Sequence, residues 1–355
     1  MKVLSLFDWM ACWYEALLRA GITVEKYYAS EIDKYAMQIA MKNHPDIIQI
    51  GDVCNVQWKD YQDIDLLIGG SPCQWFSFAG KQLNFEDPRS KLFFEYVRLL
   101  RETKPKYFLL ENVKMKKEYE EVINKELWWI TPTLIDSSRL SAQSRKRLYR
   151  VGVRQDDWTY KKVEIPQPED KGIYLKDIIE ENVDEKYYFS KERWDRIVNG
   201  KYDIVKRLED IEWKCATITT VGGGNHEKKI FISYAPWSRE FEQQGWKQDK
   251  SPTICARDYK DPKVIFLPCW TQYTSSKNFW NSFGSQKWYT LRASTPNWVI
   301  EKVGIVRKLT PTECEKLQTM KVWYTEGVSD SQRYKMLWNW WTCDIISHIF
   351  RNLLK

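Results

Sequence analysis

The chain has 355 residues and a formal net charge of +7, with 43% hydrophobic and 29% charged residues. This length supports a substantial core and two domains. No apolar run approaches the roughly 20 residues that span a bilayer, and the first apolar run lacks a signal-peptide pattern. We therefore expect a cytoplasmic protein without a membrane partner, and the charge weakly favours a polyanionic partner.

Residues 1–150 alternate strand-like and helix-like patterns. The predicted strands are residues 3–7, 27–29, 65–69, 107–110 and 147–153, and the predicted helices are residues 14–20, 34–43, 90–102 and 116–126. Such alternation predicts an α/β fold with a Rossmann-like, mostly parallel sheet and helices on both faces. Ligands bind these sheets at the carboxyl ends of the strands.

From about residue 163 the sequence becomes irregular and rich in Lys, Asp, Pro and Trp. A β-like pattern recurs there as KCATITT from Lys214, KSPTICA from Lys250 and KWYTLRA from Lys287, each followed by a polar loop. Three such units predict a smaller, irregular β-rich domain that presents its loops on one side. Three unrelated strands are the alternative. From Arg307 the pattern is helical again.

The eight cysteines contain no close pair and the three histidines are scattered, so the sequence predicts mostly free thiols and no metal site. One cysteine stands out by its position. Cys73 follows the predicted strand 65–69 within the segment DLLIGGSPCQWFSFAG, residues 65–80. Catalytic groups belong at such a strand end, although a cysteine considered alone there is more often structural.

Neighbouring strand ends carry further polar groups. Glu111 and Asn112 end the next strand, and Gln143, Arg145 and Arg147 follow at i, i+2 and i+4, which on a strand is one face. A carboxylate, two guanidinium groups and a thiol suit a planar, polar, electron-poor ring as substrate. In isolation, arginines at this spacing usually mark a solvated strand face.

With these residues in order, the chain resembles the cytosine-5 DNA methyltransferases that use S-adenosylmethionine, in particular the compact phage and bacterial enzymes. Any one of the shared tripeptides is weak, but the ordered set is highly specific and covers nearly the whole chain. The matching segments are residues 7–13, 30–32, 51–53 (GDV), 72–74 (PCQ), 111–113 (ENV), 143–147 (QSRKR), 307–318 (RKLTPTECEKLQ) and 338–344 (WNWWTCD).

The resemblance implies covalent chemistry on a cytosine that is flipped out of the duplex. Cys73 would add to C6 and make C5 nucleophilic, and Glu111 would engage the N3 side of the ring. Arg145 and Arg147 would hold the O2 side and the thiolate region, and a loop over residues 75–89 would close on the base. The substrate-binding residues implied are Gln74, Ser77, Lys81, Arg89, Asn112, Gln143, Gly222, Gly223 and Gly224.

The same resemblance implies a site for S-adenosylmethionine. Phe7 would pack on the adenine, Glu31 would bind the ribose hydroxyls, and Asp52 would accept from the adenine amino group. Pro72 and Asn339 would flank the methionine part. The full set of implied cofactor residues is Phe7, Asp8, Trp9, Trp13, Glu31, Ile32, Asp52, Val53, Pro72 and Asn339.

A domain plan and partners follow from the resemblance as well. Residues 1–162 would form the catalytic, cofactor-binding domain, residues 163–305 the target-recognition domain, and residues 306–355 would return to complete the catalytic domain. A monomer acting on double-stranded DNA is expected, with a cognate restriction endonuclease as a conceivable partner. The alternatives are an RNA (tRNA) cytosine-5 methyltransferase and a catalytically inactive DNA-binding relative.

The chain departs from the family pattern where the family carries glycine. It has 15 glycines against 19 tryptophans, although glycine normally makes up about 7% of residues. The tryptophans at family glycine positions are Trp9, Trp13, Trp75, Trp298, Trp323, Trp338 and Trp340, whereas Trp341 is expected by the motif.

An indole at these turns would occupy space that the backbone, cofactor and base require, so the chain as written is expected to bind the cofactor poorly. Three explanations compete. A UGA codon that means glycine in the source could be rendered here as tryptophan, the protein could be a catalytically dead relative, or the substitutions could be specific to this protein. Retention of Cys73, Glu111, Arg145 and Arg147 argues against decay.

Overall fold

The computed structural model describes residues 1–70, 91–187, 214–216, 264–266 and 306–354. Most strands in these ranges belong to one eight-stranded sheet. In chain order they are β1 (Lys2–Leu6), β2 (Lys26–Ser30), β3 (Ile48–Gln49), β4 (Leu66–Gly69), β5 (Tyr107–Asn112), β6 (Thr133–Asp136), β8 (Lys146–Arg154) and β9 (Tyr160–Lys162). Two short pairs lie apart from it, made of β7 (Gln143–Ser144) with β10 (Cys215–Ala216) and β11 (Val264–Phe266) with β12 (Val306–Lys308).

The sheet has the strand order β3-β2-β1-β4-β5-β8-β6, with β9 paired to β8. The strands from β3 to β5 are parallel, whereas β8 runs antiparallel to β5, β6 and β9. The chain order reverses direction between β1 and β4, where the carboxyl ends of parallel strands form a ligand-binding edge. The predicted α/β fold with a mostly parallel sheet is therefore confirmed.

The helices are α1 (Cys12–Arg19), α2 (Lys34–Asn43), α3 (Lys91–Thr103), α4 (Lys117–Glu126), α5 (Pro311–Leu317), α6 (Asp330–Trp338) and α7 (Cys343–Leu353). A side-chain cap explains where α2 begins. Asp33 caps α2 by accepting from the backbone N–H groups of Tyr35 and Ala36 at 3.0 and 3.2 Å. The elements predicted within residues 1–150 agree with the structure to within two residues. The sequence missed β3, β6 and β9, whose sequences IQ, TLID and YKK contain no clear apolar run.

Different helices cover the two faces of the sheet. Along β1, Val3 faces one core while Leu4 and Leu6 face the other, because successive side chains of a strand alternate. The first core includes buried residues of α1, α2, α5, α6 and α7, and the second includes those of α3 and α4. Helical coverage of both faces is confirmed, and it explains why the central strands read as continuous apolar runs.

The segment after residue 306 packs directly on the first helix. The Tyr324 hydroxyl donates to the Met10 carbonyl oxygen at 2.8 Å, and Arg19 on α1 pairs with Asp344 on α7 at 2.9 Å. Amino- and carboxyl-terminal parts of the chain thus share one hydrophobic core. Within the described ranges, every helix is too short or too polar to cross a membrane.

One expected strand is interrupted. Gln143, Arg145 and Arg147 do not lie on one continuous strand, because β7 ends at Ser144, β8 begins at Lys146, and the two pair with different partners. The Asp136 carboxylate accepts from the backbone N–H of Arg145 and the hydroxyl of Ser144, both at 2.9 Å. These side-chain bonds replace strand pairing at the break.

Candidate active site

The candidate site lies at the carboxyl ends of β4 and β5. Gly69 ends β4, Gly70 follows it, and Glu111 and Asn112 end the neighbouring β5. Some predicted site residues lie outside the described residues, namely Pro72, Cys73, Gln74, Ser77, Lys81, Arg89, Gly222, Gly223 and Gly224, together with Trp75 and Trp298. Their assignments stay predictions, and the geometry below concerns the groups at the described edge.

Glu111 is the buried acid of this edge, with an exposed fraction of 3%. Its Oε1 atom lies 3.1 Å from Nε of Arg147, and the Trp341 indole donates a hydrogen bond to the carboxylate. Burial raises the pKa of Glu111 above its usual range, while Arg147, the Trp341 hydrogen bond and Arg145 oppose that rise. The arrangement is a carboxyl group that holds its proton more readily than an exposed one and has cations beside it.

The two predicted arginines reach this edge from the break between β7 and β8. Arg147 pairs with Glu111, and Arg145 is buried and donates to the Trp338 carbonyl oxygen at 3.2 Å. Gln143 is completely buried, and its side-chain amide has no hydrogen-bond partner among the described residues. The structure therefore places both arginines near Glu111, although Arg145 lies at the break between β7 and β8 and only Arg147 lies on a strand.

Gly70 is a position where only glycine fits. A Cβ atom added there would lie 2.1 Å from a ring carbon of Trp341 and 3.1 Å from Oε2 of Glu111. The chain immediately before the segment 71–90 thus runs in contact with the candidate acid. Glycine is required at position 70 because its backbone passes this close to Trp341 and Glu111.

The structure adds a residue that sequence reasoning missed. Arg150 is completely buried on β8, donates to Asn124 at 2.9 Å and to Asn112 at 3.2 Å, and its pKa is lowered to about 10 by burial. The signal was a charged residue within the otherwise apolar pattern LYRVGV. Because Asn112 adjoins Glu111, Arg150 anchors the end of β5 from the opposite face of the sheet.

Acidic residues of the predicted cofactor set lie at the ends of β1 and β2. Glu31 accepts from the backbone N–H of Trp9 at 2.8 Å, of Ile32 at 2.7 Å and of Asp33 at 2.8 Å. Asp8 is completely buried and accepts from the hydroxyls of Ser5 and Tyr27, both at 2.5 Å. Burial raises the pKa of Asp8 to about 7 despite those two hydrogen bonds.

The remaining described residues of the predicted cofactor set differ in backbone conformation, hydrogen bonding and exposure. Phe7 has a left-handed backbone, with a φ of 58°. Asp52 caps a short turn by accepting from the Cys54 backbone N–H at 2.9 Å, and Val53 is buried beside it. Ile32 is 74% exposed. Asn339 is exposed, and its amide donates to the Lys335 carbonyl oxygen at 3.0 Å.

Three indoles fill the space between α1, the α6–α7 connection and the candidate acid. Trp13 and Trp340 are completely buried, with ring centroids 6.4 Å apart. Each packs on Trp341, with centroid distances of 4.3 and 4.1 Å. The indole N–H groups of Trp13 and Trp340 have no acceptor among the described residues, which costs about 1–3 kcal/mol for each buried donor.

Trp9 covers the acidic end of β2. Its backbone N–H is held by Glu31, while its indole reaches across to donate to the Met336 carbonyl oxygen at 3.0 Å. Glu31 and Asp52 have the chemistry that hydroxyl and amino donors require. The Trp9 indole, however, lies at this end of the sheet, and Trp13 and Trp340 pack on Trp341 next to the candidate acid, so the residues as written do not fit S-adenosylmethionine.

Comparison with known proteins shows the family of the chain. The family of C-5 cytosine-specific DNA methylases matches residues 1–355. The chain is 28% identical to the orphan methyltransferase M.SPRI of Bacillus phage SPR over 100% of this chain and 97% of that protein. It is 30% identical to the type II methyltransferase M1.ScrFI of Lactococcus lactis subsp. cremoris, over 89% and 68%.

Solved structures agree at the level of the fold. The chain matches S. pombe Dnmt2 methyltransferase with a TM-score of 0.63 and 18% identity, over 100% of this chain and 98% of that chain. It matches the Entamoeba histolytica methyltransferase EhMeth with a TM-score of 0.63 and 17% identity, over 99% and 97%. Together with the match over the full length, the ordered motifs lead to one conclusion: the chain belongs to the C-5 cytosine-specific DNA methylase family.

Proposed function

We propose that this protein, in a form with glycine at the crowded tryptophan positions, is a DNA (cytosine-5) methyltransferase acting on a flipped cytosine within a specific duplex sequence. The observation that carries the proposal is the buried acid–cation group at the end of β5. Glu111 lies 3.1 Å from Arg147 and adjoins Gly70, which precedes Cys73 by three residues. A buried carboxyl group next to a nucleophile-bearing segment suits attack on a pyrimidine ring.

The proposed chemistry uses the protein's own groups on the base. The Cys73 thiolate forms a bond to C6, and the ring electrons shift toward C5 and N3. Glu111 supplies a proton at the N3 side, for which a carboxyl group with a raised pKa is suited. Arg147 and Arg145 stabilise the O2 side and the thiolate region electrostatically. Once C5 carried the methyl group that the donor would supply, a base would remove the C5 proton, the electron pair of that bond would form the C5–C6 double bond, the Cys73 thiolate would leave from C6, and the N3 proton would return to Glu111.

S-adenosylmethionine is the methyl donor that the family implies. Glu31, Asp52 and Phe7 remain the proposed residues for its ribose and adenine, and Asn339 and Pro72 for its methionine part. Because the Trp9 indole lies beside Glu31 and the buried Trp13 and Trp340 pack on Trp341 next to the candidate acid, we derive no step through the donor in the chain as written. We expect donor binding to need glycine at Trp9, Trp13, Trp338 and Trp340.

The buried tryptophans also support a second candidate, an inactive DNA-binding relative. A chain without room for a methyl donor could still read DNA through residues 163–305. The phage SPR relative is described as an orphan methyltransferase, which favours a protein that works without a cognate endonuclease. An RNA substrate is the remaining possibility, and it enters the experiment as a separate arm.

A covalent trapping experiment tests the proposal. The variant with glycine at Trp9, Trp13, Trp75, Trp298, Trp323, Trp338 and Trp340 is incubated with S-adenosylmethionine and with duplex DNA or transfer RNA that contains 5-fluorocytosine. We expect a denaturation-resistant adduct with DNA, because fluorine at C5 blocks release of the thiol. The Cys73→Ala variant should form none, since it lacks the nucleophile.

Three results would contradict parts of the proposal. An adduct that persists in Cys73→Ala would exclude Cys73 as the nucleophile. An adduct formed only with RNA would change the substrate class. DNA binding without an adduct in the folded glycine variant would favour the inactive relative.

A further inference from the structure

Tryptophan is over-represented among the described non-glycine residues that have a left-handed backbone. Ten non-glycine residues in the described ranges have a positive φ, and five of them are tryptophans. They are Trp9, Trp128, Trp129, Trp158 and Trp323, with φ values of 56°, 52°, 60°, 65° and 67°. Left-handed backbone brings Cβ close to the carbonyl oxygen, which makes it rare for bulky residues and ordinary for glycine.

Trp128 and Trp129 end helix α4 in a motif that normally uses glycine. The backbone N–H of Trp129 donates to the Asn124 carbonyl oxygen at 2.6 Å, closing a six-residue ring around the helix end. Leu127 is the last cap residue, so Trp128 occupies the left-handed position that follows it. This is the hydrogen-bond pattern of a Schellman motif, in which glycine is the preferred residue after the cap.

Trp158 lies in the hairpin that joins β8 to β9. Its backbone N–H donates to the Gln155 carbonyl oxygen at 3.1 Å, and the Gln155 N–H donates to the Thr159 carbonyl oxygen at 2.8 Å. This pattern is a type I turn followed by one left-handed residue, the three-residue hairpin loop that takes glycine at its left-handed position. Asp157 precedes Trp158, so glycine there would give the common Asp-Gly turn sequence.

Packing does not compensate for the strained backbone at most of these positions. Trp129 is 68% exposed, Trp158 is 56% exposed and Trp323 is 54% exposed. Trp158 lies beside Lys104 and Arg154, with cation-to-ring distances of 4.9 and 4.7 Å. Contacts of this kind at exposed sites are weak, so these indoles bury too little surface to account for their backbone geometry.

Trp128 and Trp158 lie away from the candidate site, because the Trp128 ring packs on Tyr160 beside the β8–β9 hairpin, with ring centroids 4.8 Å apart. Arg154 and Tyr160 flank the hairpin, and they bond to the Lys106 and Pro105 carbonyl oxygens before the amino end of β5. Glu111 lies near the carboxyl end of the same strand. Changes selected to remodel or disable the methyl-donor site would not extend to these turns.

We infer that Trp128, Trp129 and Trp158 stand where the functional protein has glycine, and that one replacement process affected these turns and the candidate site alike. A codon that the native host reads as glycine accounts for both sets, whereas loss of catalysis or site remodelling accounts only for the second. The inference does not rest on the proposed methyl transfer, because it concerns turns far from the reacting groups.

Thermal unfolding of single variants tests the inference without cofactor or DNA. We expect Trp129→Gly and Trp158→Gly each to raise Tm by about 2–4 °C, because relief of a left-handed side chain outweighs the extra freedom of glycine in the unfolded chain. Trp58→Gly is the matched control. Trp58 is 38% exposed and has no positive φ, so its replacement by glycine should lower Tm.

A side-chain series at Trp158 separates backbone strain from lost packing. Glycine should be most stable there, asparagine next and alanine least, because asparagine tolerates the left-handed region better than alanine. A fall in Tm for Trp158→Gly as large as that for Trp58→Gly would overturn the inference.

Peptide mass spectrometry of the protein from its native host, together with the sequence of its gene, gives an independent readout. Glycine at positions 128, 129 and 158, encoded by UGA, with tryptophan encoded by UGG at position 341, is the expected result. Tryptophan at position 158 in that protein would overturn the inference even if the glycine variants were stable.

Discussion

Glu111 contacts side chains that are far apart from one another in the sequence. Arg147 approaches it from β8, and Trp341 approaches it from the connection between α6 and α7. Each of these contacts lowers the pKa of a carboxyl group whose burial raises it, and burial has the larger effect. The protonation state of this residue is therefore set by tertiary packing, and its consequences can be measured through stability.

The pH dependence of stability should reveal the raised pKa of Glu111. Below its ordinary value of 4.5 the side chain is protonated in both states, and its stabilising contribution is fully present. As pH rises toward the higher folded pKa, the unfolded chain loses the proton first and that contribution is lost. We expect Glu111→Gln, which cannot ionise, to gain Tm relative to the unsubstituted protein as the pH rises above the ordinary Glu pKa of 4.5.

Glu121→Gln on α4 is the control for this measurement, because the Glu121 side chain is 58% exposed. Its Tm difference from the unsubstituted protein should stay nearly constant across the same pH range. If the Glu111→Gln difference were equally constant, the raised pKa would be refuted.

At the scale of elements, charged and polar side chains stabilise the start of α5. Arg307 on β12 and Glu313 on α5 are both completely buried, and the guanidinium donates to both carboxylate oxygens at 2.7 and 2.8 Å. Glu313 also accepts from the Thr310 backbone N–H at 2.8 Å, while the Thr310 hydroxyl accepts from the Glu313 N–H at 3.1 Å. This capping box joins strand and helix, so the motif RKLTPTE has an architectural role.

We expect Glu313→Gln to lower the free energy of unfolding by about 3–5 kcal/mol, because it leaves the Arg307 guanidinium buried without a countercharge. Thr310→Ala should cost about 1–2 kcal/mol, since it removes a helix cap but no charge. Urea unfolding followed by circular dichroism measures both. Glu326→Gln, from an exposed pair with Lys42, should change stability by less than about 1 kcal/mol; a similar loss in all three variants would refute this ranking.

At the scale of the whole molecule, the two ends of the sequence build one core. The buried side chains of α1 and α7 belong to the same cluster, although more than 300 residues separate some of them. Described residues before position 188 and after position 305 therefore contribute to one core. We retain the proposal that the segment of residues 163–305 reads the DNA sequence while the remainder performs the chemistry.

Transplanting residues 163–305 into a related active enzyme should move the methylated site while leaving the transfer reaction intact. The expected outcome is a new sequence context for 5-methylcytosine, read by bisulfite sequencing of the host DNA. The recipient with its own segment reinserted controls for damage at the junctions. Methylation at the recipient's original site would show that recognition lies elsewhere.

Much of the fold could be predicted because it depends on local periodicity. The helix predicted at 34–43 matches α2, and the apolar runs before Gly69 and Glu111 are the parallel strands β4 and β5. The antiparallel direction of β8 and the break at Arg145 could not be predicted in this way. Both depend on which strands become neighbours, and Asp136 supplies the competing hydrogen bonds only once β6 lies beside β8.

The sequence by itself determined the family, through motifs whose order survives even where glycines are replaced, and it identified Glu111, Arg145 and Arg147. Only the tertiary structure decided how Glu111 is paired, that Arg150 holds the end of β5, and which tryptophans have a left-handed backbone. Motif order is a property of the chain, whereas burial, charge pairing and φ depend on contacts between distant segments. Trp158 shows the difference, because its left-handed backbone is visible only in the hydrogen-bonded hairpin of the folded chain.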